Sequence, residues 1–162
     1  MKSIAHSKIA ALALTLASTF ATTGAFADYH VAAFSDTLGF GALLKKDVAL
    51  VEKTFATSKV ERMDFFEINN LCVAQIILED FESAVSSCGV ALEKADYSSE
   101  LTAEGQKVAL AAIYSNLAIA KVMSGDSAGA SVALETSLSL NQKDGNASMN
   151  YDLIKTNLVA GD

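Results

Sequence analysis

The sequence predicts an all-α fold on three observations. From Val60 to Leu140, apolar residues recur at steps of three and four, which gathers them on one face of a helix. Polar or glycine-bearing breaks separate these runs, with residue types that stop one helix and start the next. The third observation is an internal echo. Asn70-Leu71-Cys72, then Phe81, Ala84, Cys88, Ala91 and Leu92, returns at a constant offset of 46 residues as Asn116-Leu117-Ala118, then Ser127, Ala130, Leu134, Ser137 and Leu138.

Residues 1–27 read as a cleavable signal peptide. Lys2 and Lys8 precede an apolar stretch from Ile9 to Ala21, and Ala25-Phe26-Ala27 has small residues where a signal peptidase needs them, so the mature chain is expected to begin at Asp28. The competing reading is an amphipathic or spanning first helix, but the stretch is shorter than the roughly 20 residues a span requires. No cysteine stands at position 28 to receive a lipid, and the leader has a bacterial look. The periplasm is therefore the expected destination, with secretion as the alternative and no membrane insertion after cleavage.

Residues 28–162 form the expected single helical domain. Its amino-terminal end, including His30, is expected to be mobile and solvent-exposed or lightly packed. A glycine-bearing turn at Gly39-Phe40-Gly41 leads into Ala42, Leu43, Val48, Val51 and Phe55 at helical spacing; Lys46-Asp47 is either a break between two short helices or part of one. A helix follows from about Val60 to Leu78, then another from Phe81, capped by Asp80. Asp96 to Glu100 reads as a connection. Thr102 caps a fourth helix that Ser124-Gly125-Asp126 ends, with Gly125 for the left-handed closing residue and Asp126 as the next cap. The fifth helix covers about Ser127 to Leu140, and a closing helix is expected near residues 149–159.

The paired pattern resembles the tetratricopeptide repeat, with copies near residues 63–95 and 107–141. The 46-residue offset exceeds that family's usual 34, so the connection near Asp96 to Glu104 is an insertion or a longer turn. Glu79-Asp80 and Cys72 depart from the pattern in the first copy, and Ser127 and Ser137 in the second. The resemblance implies antiparallel helix pairs stacked into a short right-handed helical-repeat domain that docks a peptide or protein in a concave face. Asn70 and Asn116 are the candidate partner-binding residues on that face; the competing readings are asparagines hydrogen-bonded within or between helices and an unrelated helical bundle. Tyr97, in the polar connection, either contacts a partner or covers a helix end, and Tyr114 reads as packing.

Cys72 and Cys88 are the only cysteines. They flank the turn of one antiparallel pair at similar distances, which predicts a structural disulfide in an oxidising compartment; buried thiols are the alternative, and redox catalysis lacks an adjacent cysteine pair.

The functional expectation is a noncatalytic interaction scaffold. Removing residues 1–27 leaves 10 basic against 19 acidic residues and a formal charge of −9, which disfavours nucleic acid and favours partners with basic segments. With His6 in the leader, His30 is the sole mature histidine, so no two-histidine metal site is available and any serine-histidine-acid mechanism would depend on one residue at the expected mobile end. No catalytic residue, metal or cofactor is predicted. The alternatives are a self-associating structural accessory of the envelope and, more remotely, a small hydrolase with a polar cleft between Glu67, Glu79 and Asp80.

Overall fold

The computed structural model describes residues 11–15, 29–99 and 101–160. Its body is all-α, as the periodicity predicts: among the described residues seven α-helices run α1 Phe40–Lys45, α2 Val48–Phe55, α3 Phe65–Ile77, α4 Phe81–Asp96, α5 Ala103–Met123, α6 Ser127–Leu140 and α7 Gly145–Ala160. Ahead of them lies a feature the periodicity did not announce, a two-stranded antiparallel sheet of β1 Ala11–Thr15 and β2 His30–Phe34. The proposed cleavage site, Ala25 to Asp28, lies outside the described residues.

Local chemistry accounts for the helix boundaries. Lys46 takes a left-handed φ of 52° and Asp47 accepts a hydrogen bond from the Leu50 amide, so the Lys46-Asp47 doublet divides two short helices. Asp64 and Glu67 form a reciprocal capping box at the start of α3, each side chain satisfying a backbone amide that has no partner within the helix. This moves the start of that helix from Val60 to Phe65, leaving Val60–Arg62 as a separate 3-10 turn. Asp80, Thr102 and Asp126 cap α4, α5 and α6 as expected. The closing helix starts at Gly145, earlier than the sequence suggested, because the Asp144 carboxylate accepts from the Asn146 and Ala147 amides.

Each helix from α3 to α7 packs against the next in the chain, while α3 also touches α5 and α5 touches α7. Helices α3, α5 and α7 therefore form one row, and β2 runs across all three. Phe34 sits edge-on to Phe66 with ring centroids 5.0 Å apart, and Tyr29 and Val31 to Phe34 are buried with the apolar faces of α1, α2, α3 and α5 in one core. The expected mobile end is thus corrected. The segment from Tyr29 to Phe34 is apolar, and the helix row provides a surface on which burying it is favourable. A disulfide joins Cys72 on α3 to Cys88 on α4, across Cα atoms 5.4 Å apart.

Candidate binding site

A buried strand must satisfy every backbone N–H and C=O that it takes out of water. Along β2 the backbone groups of alternate residues point to opposite edges, and the two edges are satisfied by different means. On the edge facing the helices, three asparagines do the work.

Asn150 on α7 accepts from the His30 amide at 2.8 Å and donates to the His30 carbonyl at 2.7 Å. Asn116 on α5 grips Ala32 in the same way, at 2.8 Å for both bonds. Asn70 on α3 grips Phe34 at 2.8 and 2.9 Å, and its amino group also reaches Thr37 Oγ1 and the Leu38 carbonyl. A primary amide presents one acceptor and one donor side by side. That geometry copies the paired N–H and C=O of a neighbouring antiparallel strand, so each asparagine replaces one residue of a missing strand.

The ladder is cross-braced. Asn69 donates to the Ala32 carbonyl at 2.9 Å and accepts from Asn116 at 2.8 Å, while Asn150 reaches Ser115 Oγ at 3.2 Å. Asn69, Asn70, Asn116 and Asn150 are all fully buried. Because every one of these polar groups has a partner, the site fixes its own amide orientations: a flipped Asn116 would set donor against donor at Ala32.

The structure therefore brings together Asn70 and Asn116, the pair singled out by the sequence echo, and places both under the chain's own strand. His30 belongs to this arrangement through its backbone. The echo missed Asn69 and Asn150. A signal for Asn150 is present, since it follows Asn116 by 34 residues, but it falls in the expected closing helix, outside the two copies that the 46-residue echo compares. Tyr97 stands apart from the ladder at the C-cap of α4, with 82% of its surface exposed. Tyr114 is half-buried against the core.

The acidic groups considered for hydrolysis serve the helix ends. Glu67 Oε2 accepts from the Asp64 amide, Asp80 accepts from the Ser83 amide, and Glu79 occupies the left-handed turn between α3 and α4. A cavity of about 110 Å³ lies between α6 and α7, lined by Ser131, Leu134, Glu135, Tyr151, Ile154 and Lys155. Its lining supplies one carboxylate, Glu135, and one amine, Lys155. Among the described residues no group of three or more histidine, cysteine, aspartate or glutamate side chains is placed to hold a metal ion, and no helix is long and apolar enough to cross a membrane.

Compared with family models, curated proteins and solved structures, the chain has no match.

Proposed function

We propose that this chain is an exported, noncatalytic interaction scaffold built from tetratricopeptide-like helix pairs, acting in the periplasm or, after release, in the medium. One observation carries this reading. Side chains from α3, α5 and α7 hold an extended polypeptide by its backbone at every second residue. A site of that kind binds main chain, which all polypeptides share, and leaves reactive chemistry aside.

Two further features support the repeat-like part. The inner asparagines recur along the row of α3, α5 and α7, and the step from Asn116 to Asn150 is 34 residues, the ordinary length of such a repeat. The step from Asn70 to Asn116 is longer by 12 residues, consistent with the extended α4–α5 region. Export is supported by the leader's composition and by the disulfide, which persists in oxidising compartments.

The test is affinity capture from envelope extracts of the source organism, using protein expressed with its leader and kept nonreduced. A saturable protein partner, competed by excess unlabelled chain, is the expected result. Turnover of small-molecule esters, amides or glycosides without any saturable partner would sink the reading. Asn70 and Asn116 make poor control substitutions because they hold the fold; Tyr97→Ala, on an exposed side chain, is the informative one.

A further inference from the structure

The outer edge of β2 is the second half of the site. His30, Ala32 and Phe34 turn their backbone groups to the asparagines. Val31 and Ala33 therefore turn theirs the other way, toward β1, where Leu14 pairs with Val31 and Leu12 with Ala33 in an antiparallel register. The residues supplying that pairing, Ala11–Thr15, lie in the middle of the apolar leader. Cleavage after Ala27 would remove them and leave two N–H and two C=O groups of an ordered strand without partners, a strong template for strand addition.

We propose that in the exported protein this edge of β2 receives a strand donated by another polypeptide: an extended apolar segment, running antiparallel, with small and branched residues in the alternation shown by Ala11–Thr15. The inference rests on the export reading above. The asparagine ladder holds β2 in its bound conformation beforehand, which lowers the ordering cost of pairing. A second copy of the chain is a poorer occupant than a foreign segment, because each mature chain carries a formal charge of −9 and two copies repel one another. A segment flanked by lysine or arginine is attracted to a chain of that net charge, and β1 itself follows Lys8.

The test uses the protein as it is exported from its full reading frame, purified from the periplasm, with its amino terminus fixed by intact mass. The probe is a labelled peptide of residues 8–17, titrated by fluorescence anisotropy. Saturable binding is expected. N-methylation at Leu12 and Leu14, whose amides face β2, weakens it about tenfold or more. N-methylation at Ala13, whose amide faces away, leaves it within about twofold.

Binding that ignores the position of the methyl group, or no binding by a chain beginning at Asp28, overturns the edge proposal and leaves the export reading standing. A concentration-dependent dimer that excludes the peptide also overturns it, in favour of a second copy. A product that still carries residues 1–27 overturns both together.

Discussion

The two helix pairs α3/α4 and α5/α6 solve one problem with different residues. Their turns superpose in hydrogen bonding at the 46-residue offset: the Leu78, Glu79 and Asp80 amides donate to Ala74, Ile76 and Gln75, as those of Ser124, Gly125 and Asp126 donate to Ala120, Val122 and Lys121. Each turn holds a left-handed residue and then an aspartate that caps the following helix. The left-handed residue is Glu79 at φ 61° in the first pair and Gly125 at φ 91° in the second. A side chain in that conformation costs free energy that glycine avoids.

The first pair offsets its less favourable turn with the Cys72–Cys88 bond. The second has Ala118 and Leu134 at the matching positions, both buried, and adds a buried hydroxyl, with Ser137 donating to the Ala111 carbonyl at 2.7 Å. Ser137 stands where the first pair has Ala91, so the departure from the repeat pattern there is a satisfied hydrogen bond. The same backbone path thus survives a change in what stabilises it.

The largest expected effect lies where the pairs act alike. Asn70→Leu and Asn116→Leu each leave a buried N–H of β2 unpaired, at Phe34 and Ala32, while the carbonyls keep Thr37 Oγ1 and Asn69 as donors, and each should destabilise the protein by about 2 kcal/mol or more in urea titrations. Equal losses would mark one continuous ladder; a negligible loss at either position would show that β2 is not held there. Next comes the feature confined to the first pair. Cys72→Ala together with Cys88→Ala should cost about 3 kcal/mol, the value expected for a loop of this length, and dithiothreitol should lower the midpoint of the native protein but not of the double variant.

The turns should respond in opposite directions. Gly125→Ala costs about 1 kcal/mol through backbone strain, since no neighbouring atom would meet the added methyl. Glu79→Gly is expected to stabilise by about 0.5 kcal/mol. Matching signs in chemical denaturation would break the equivalence of the two turns.

The smallest effect concerns pH. The hydrogen bond from Lys121, at 2.7 Å, and then that from the Gly129 amide hold the Asp126 carboxyl below its usual 3.8. A group whose folded pKa is depressed contributes stability above its unfolded pKa and loses it as pH falls through the lower folded value. The melting temperature should therefore drop slightly more between about pH 5 and pH 2 in the native protein than in Lys121→Met. Identical profiles would assign the Lys121–Asp126 contact no role in stability.

Much of this was legible along the chain. The caps at Asp80, Thr102 and Asp126, the span Ser127–Leu140 of α6 and the joining of Cys72 to Cys88 follow from local chemistry and spacing, because a helix satisfies its backbone from within and shows its buried face as a period. Asn70 and Asn116 were legible as a matched pair, through an internal echo that needs no structure. Their role was not. A short strand has no such period, and β2 draws its hydrogen bonds from residues 36, 84 and 120 positions away.

What the sequence by itself determined, then, is the order of the main helices, the caps of α4, α5 and α6 and the joining of α3 to α4, for these depend on neighbours within a few residues. Only the tertiary structure decided that Tyr29 to Phe34 enters the core and that four asparagines from three helices close on it. Unpaired backbone groups cannot be buried, and the partners that make this burial possible become neighbours only once α3, α5 and α7 stand side by side.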